Sequence, residues 1–200
     1  FAGLVEPAGS LSGWLRRLEV QLRSWRGMRS CSPLVIYGPG GIGKSTLLAR
    51  FILDHTGVES GLRIPFAYLD FDDARLRIER PVTLLLEIAR QLRIQYPERR
   101  AKLAGLHAEL ERALAMESET DSGRGEAAAE EARVRRLVEE LTELPADPRV
   151  QGQTGQPFLL FLDTFEEVQY RSRNALSHLG RVQGRLWDAL PTVRMEVSGP

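Results

Sequence analysis

The sequence predicts an α/β fold on a mainly parallel sheet, and three observations lead there. Apolar runs and amphipathic helical stretches follow one another in the order strand, helix, strand, helices, strand, helix, strand. The run "FLLFLD", Phe158 to Asp163, is apolar without alternation, as expected of a strand covered on both faces. A glycine-rich bend, "GPGGIGKS", joins a short apolar strand to the helix after it, and ligands of such folds sit at the carboxyl ends of the strands.

The elements follow from spacing. Ser10 to Trp25 reads as an amphipathic helix, with Leu11, Trp14, Leu15, Leu18, Leu22 and Trp25 on one stripe and Ser10 as its cap. "LVIY", Leu34 to Tyr37, is a buried strand. The helix from Lys44 to His55 turns Leu47, Leu48, Phe51 and Ile52 inward. "RIPFAYLDF", Arg63 to Phe71, is a second strand, and "FDDARLRIERP" a polar connection. Val82 to Tyr96 is a helix with Val82, Leu85, Leu86, Ala89 and Leu92 on its apolar stripe. Another runs from Arg100 to Met116 through Leu103, Leu106 and Leu110. "ESETDSGRGEAAAE" reads as a polar loop, followed by a helix through Val134, Leu137, Val138 and Leu141, and "PADPRVQGQTGQP" as a second loop. After "FLLFLD" come a helix from Asn174 to Leu190 and a last strand, "TVRMEV". Its alternation is weaker evidence for a doubly buried strand. The resulting organisation is a helical arm over 1–33 and one domain over 34–200, with a helical and loop insertion over about 97–156.

Composition narrows the class. The 200 residues suffice for one domain with a core, and 42% hydrophobic with 27% charged is ordinary for a globular chain. Lys+Arg and Asp+Glu both number 27, so no overall basic field points to nucleic acid. One cysteine, Cys31, excludes an internal disulfide and a cysteine metal cluster, which fits a reducing cytoplasm. No apolar run approaches the roughly 20 residues that span a bilayer. The first residue is Phe1, which reads as a segment of a longer protein.

Gly38 to Ser45 fits G-x-x-x-x-G-K-[ST] with a strand before and a helix after. Gly38, Pro39, Gly40, Gly41, Ile42 and Gly43 form a bend whose backbone N–H groups converge on a phosphate. The helix beginning near Lys44 adds the positive end of its dipole. Lys44 supplies a point charge to the β- and γ-phosphates, Ser45 a hydroxyl to Mg²⁺, and Thr46 supports the α-phosphate side. Only Lys44 and Lys102 are lysines in a chain otherwise rich in arginine. A metal-bound triphosphate also needs a carboxylate, and Asp163 closes the Walker B pattern "FLLFLD", holding Mg²⁺ through coordinated water. Glu166 and Glu167 follow, and one of them is expected to orient and deprotonate the attacking water, with Glu166 narrowly preferred. A strand intervenes in sequence between the two motifs, "IPFAYLDF". That suits the P-loop class in which an extra strand separates the two motif strands in the sheet. No N-K-x-D guanine motif is present, so ATP is favoured over GTP.

"GPGGIGKST" and "LLFLDTFEE" together resemble the STAND branch of P-loop ATPases, close to NACHT and AAA-type modules. In the second motif an apolar strand, Asp163, the small Thr164, the apolar Phe165 and the acids Glu166 and Glu167 stand in that order. "YLDFDD" with "RPVTLLLEIARQL" is also similar to the second strand and helix of bacterial members. The resemblance covers roughly Leu34 to Pro200. It implies a three-layer P-loop NTPase fold whose last strand and helical lid are missing here. It implies ADP or ATP with Mg²⁺ as cofactors, slow hydrolysis, and self-association through nucleotide domains joined to effector and sensor domains. The family's sensor residue at the end of the last strand would be nearest Ser198, and "FAGL" lacks the arginine of the family's N-terminal signature.

Two other functions fit the motifs: an AAA-type ATPase acting on DNA or protein complexes, and a small-molecule P-loop kinase. Neutral charge gives the first no support, and the intervening strand speaks against the second. His55, His107 and His178 lack metal-ligand spacing. Asp70, Asp72 and Asp73 read as a solvated turn in preference to groups approaching the site, Arg171 and Arg173 as solvated charge in preference to groups reaching a neighbour's nucleotide, and Trp14 and Trp25 as packing residues in preference to a helix lining the adenine pocket.

Overall fold

The computed structural model describes residues 34–37, 41–56, 64–77, 79–117, 123–144, 158–164 and 193–199. The expected helices at Ser10 to Trp25 and Asn174 to Leu190, and the loop "PADPRVQGQTGQP", lie outside them.

Among the described residues four parallel strands form one sheet: β1 (Leu34–Tyr37), β2 (Phe66–Asp70), β3 (Phe158–Asp163) and β4 (Val193–Gly199). Their order is β1-β4-β3-β2. The sequence points to "IPFAYLDF" as the strand that suits an inserted-strand class, but that strand, β2, forms the far edge. The strand inserted between β1 and β3 is β4, which pairs with both. A strand hydrogen-bonded on both sides is central whatever the alternation of "TVRMEV" suggests, because its place depends on neighbours distant in sequence.

Helices cover both faces. α1 (Lys44–Thr56) lies on one, and α2 (Pro81–Gln95), α3 (Arg100–Glu117) and α4 (Gly123–Thr142) on the other. The strand period of two sorts the side chains. Phe158, Leu160 and Leu162 join Ala67 and Leu69 in the larger core under α2, α3 and α4. Leu159 and Phe161 face the other way, with Phe66 and Tyr68, toward Leu48 and Phe51 of α1. The Phe161 ring meets Phe51 edge-on at 5.8 Å and Phe66 at 6.3 Å between centroids. Burying each such large side chain contributes about 1.5–3 kcal/mol, which fixes α1 against β3.

α2 starts with Pro81, whose missing N–H is no loss in a first turn, and the Thr83 hydroxyl donates within the turn formed by Arg77 and Arg80. It stops at Tyr96, which precedes Pro97 and takes φ −123°, ψ 71°. Leu103, Leu106 and Leu110 of α3 and Val134, Leu137 and Leu141 of α4 complete the larger core. Arg99 and Lys102 meet Glu143 at 3.1 and 2.5 Å, so the start of α3 lies beside the end of α4 and the two run antiparallel. The stretch read as the loop "ESETDSGRGEAAAE" is helical from Gly123 onward. Three alanines and the flanking glutamates are strong helix formers and outweigh the two glycines.

The exposed edge of β2 is closed by side chains. Gln95 accepts from the Phe66 N–H at 3.1 Å and donates to its carbonyl at 2.7 Å. Gln91 does the same for Tyr68 at 2.8 and 2.6 Å. Four residues along a helix advance about 6.0 Å and two along a strand about 6.6 Å, so two glutamines one turn apart match the outward-facing groups of the strand.

Candidate functional site

The parallel register brings the carboxyl ends of the strands to one edge. Tyr37 pairs with Gly199 and Ile36 with Ser198. Leu162 pairs with Val197, so Asp163 stands one step further, level with Ser198 of β4. β1 and β3 lie two strand spacings apart, about 10 Å. The end of β1, which precedes the glycine loop in sequence, and the carboxylate ending β3 thus share an edge, with the end of β4 between them. Asp163 follows Leu159 and Phe161 in strand period and projects from the α1 face, as do Tyr68 and Asp70 in period with Phe66.

Within the loop, Gly41 and Gly43 have φ of 77° and 93°. An added Cβ at either would meet none of the described residues within 4 Å. Glycine is needed there for backbone conformation rather than by crowding from the described residues. The Leu47 N–H donates to the Gly43 carbonyl at 2.9 Å, the first bond of α1, so the amides of the preceding turn face out of the helix's N-terminal end. Lys44 opens the helix half-buried, Ser45 and Thr46 are exposed, and Ile42 is 53% exposed. Gly38, Pro39 and Gly40 lie outside the described residues, as do Glu166, Glu167, Arg171, Arg173 and His178.

Asp163 is 3% exposed and held at both oxygens. The Thr164 N–H donates to Oδ1 at 2.9 Å and the Tyr68 hydroxyl to Oδ2. The Phe71 N–H donates to the Asp163 carbonyl at 3.1 Å. Burial first, then the bond to Asp163 and the charges of Asp163 and Asp70, push the Tyr68 phenol well above its usual range and keep it a donor. Thr164 has φ 56°, an uncommon conformation for a β-branched residue. Its hydroxyl donates to Asp70 Oδ1 at 3.0 Å, and the Asp72 N–H donates to the same oxygen at 3.1 Å.

Asp70 therefore departs from the reading as a solvated turn residue. It pairs in register with Asp163. Asp72 and Asp73 do lie in the turn. Arg75 hydrogen-bonds Asp73 through its guanidinium and its amide and holds that carboxyl down to about 2. Tyr68 was not singled out from sequence. A signal was present: "YLD" and "FLD" share an aromatic, a leucine and an aspartate, and the three pairs Tyr68–Phe161, Leu69–Leu162 and Asp70–Asp163 are register partners.

The residues fit a magnesium nucleotide. Among the described residues no group of three or more His, Cys, Asp or Glu could hold a metal ion alone. Mg²⁺ needs no such cage, since it keeps several waters and takes one or two carboxylates together with substrate phosphates. Among the described residues each Asp163 oxygen accepts one donor, which leaves a second lone-pair site for contact through water. Among the described residues no helix is long and apolar enough to cross a membrane.

A family model described as AAA ATPase domain matches residues 14–191. No curated protein matches the sequence. The match spans the glycine loop, α1 and the Asp163 strand, whose geometry is that of an α/β P-loop fold with a nucleotide-binding edge. The chain belongs to the AAA ATPase domain family.

Proposed function

We propose that this module binds ATP or ADP with magnesium and acts as a nucleotide-dependent switch for signalling or assembly, in the manner of STAND-type ATPases, with slow hydrolysis. The observation that carries this reading is the setting of Asp163: at the loop's edge of the sheet, one strand removed from β1, on the face that carries α1. Lys44 contacts the β- and γ-phosphates. Ser45 and Asp163 hold the metal, the latter through water. Bound magnesium neutralises charge on the phosphates. The residue after Asp163 is Thr164, committed to Asp70, so the nearest following carboxylates are Glu166 and Glu167. Self-association would run through the nucleotide domains, with effector and sensor domains attached.

The test is calorimetry with ADP and ATP, steady-state turnover, and sedimentation of the full protein with each nucleotide. Tight binding, turnover well below the median enzyme rate of about 10 s⁻¹, and assembly with ATP but not ADP support the switch. Fast turnover that persists at high dilution would count against it.

A further inference from the structure

We propose that Tyr68 is a positioning residue for Asp163, fixing the carboxylate at the angle at which it meets the water shell of nucleotide-bound magnesium. The inference rests on the nucleotide-site reading above. A carboxylate gripped at one oxygen still rotates about its Cβ–Cγ bond; one gripped at both does not. Thr164 grips Oδ1 with its main-chain amide, which nearly any residue there would offer. Tyr68 grips Oδ2 with a side chain, so this second point depends on the residue type at 68.

Tyr68 is itself anchored. Gln91 binds its N–H and its carbonyl from α2, and its ring packs against the cluster of Phe51 and Phe161. Glu87 Oε1 accepts from Gln91 at 2.6 Å and Arg90 donates to Glu87, so the glutamine is held in turn. The orientation of Asp163 thus depends on α2, an element without a residue in either nucleotide motif. Partners of this kind, bonded to a metal-facing group, typically change metal affinity by roughly 10–100-fold when removed.

The experiment is ATP calorimetry on the full chain over a magnesium series and in EDTA. Tyr68→Phe keeps the ring and removes the donor. The magnesium concentration giving half the gain in ATP affinity should rise about 10-fold, with affinity in EDTA unchanged. On an Asp163→Ala background, Tyr68→Phe should add nothing. A folded Tyr68→Phe with the wild-type magnesium midpoint, or the same extra loss on the Asp163→Ala background, overturns the proposal. Should Tyr68→Phe fail to fold, 3-fluorotyrosine at position 68 keeps the ring and strengthens the donor. A stronger donor changes the hold on Oδ2 and must shift the midpoint, and an unmoved midpoint overturns the proposal equally. Wild-type protein that binds no ATP removes the nucleotide site and this inference together, a result distinct from wild-type binding with an unaffected variant.

Discussion

Asp70 and Asp163 stand opposite each other at the ends of neighbouring parallel strands, and the hydroxyl of Thr164 bonds the first while its amide bonds the second. Two buried or half-buried carboxylates side by side would repel. Each is instead supplied with donors: Thr164 and Asp72 for Asp70, Thr164 and Tyr68 for Asp163. The turn after β3 is where the chain departs toward Glu166 and Glu167.

Thr164 combines a costly conformation with a useful hydroxyl, and the two separate by substitution. Thr164→Ala loses the bond to Asp70 and keeps φ 56°. Thr164→Gly loses the bond and relieves strain worth on the order of 1 kcal/mol. Urea unfolding should show Thr164→Ala as the less stable variant by about that amount.

Lys44→Ala should weaken ATP and ADP binding by roughly 10-fold or more, the scale of a lost charge-assisted bond. Calorimetry with each nucleotide checks the loss.

Glu166→Gln and Glu167→Gln should leave nucleotide affinity intact. The one that removes the base should slow phosphate release by roughly 10²–10⁴-fold. Normal hydrolysis in both variants would exclude the pair.

Gln91→Ala and Gln95→Ala each strip a strand-edge N–H and carbonyl of their partner, at a cost of about 1–3 kcal/mol for each partly buried group left unpaired. The double variant should also self-associate, because an uncovered edge strand is a template for pairing. Denaturant midpoints and light scattering at increasing concentration are the readouts.

Glu87 gives a pH signature. Burial pushes its carboxyl up, but bonds from Arg90 and Gln91 and the nearby guanidinium charges outweigh this and leave it below its ordinary value. A carboxyl depressed in the folded state binds fewer protons folded than unfolded. Its stabilisation is therefore full above the usual glutamate range and disappears as pH falls through the folded value. The stability gap between wild type and Glu87→Gln should be constant near neutrality and close on acidification. A gap that widens toward acid would reverse the assignment.

Much of the site was legible because its signals are local. Glycines with positive φ, the lysine and serine opening a helix, and an aspartate closing an apolar run each follow from neighbouring residues and elementary periodicity. The sequence by itself determined the parallel α/β class, the bounds of β1 and β3, the start of α1 at Lys44 and the place of Asp163 at the end of β3. Only the tertiary structure decided that β4 rather than β2 separates the two motif strands, that Asp70 lies beside Asp163, and that Tyr68 grips it. Tyr68 and Asp163 are 95 positions apart. Period and propensity report which face of an element is apolar. Strand order and register are settled by which faces bury one another, and that is a property of the assembled sheet and its helices.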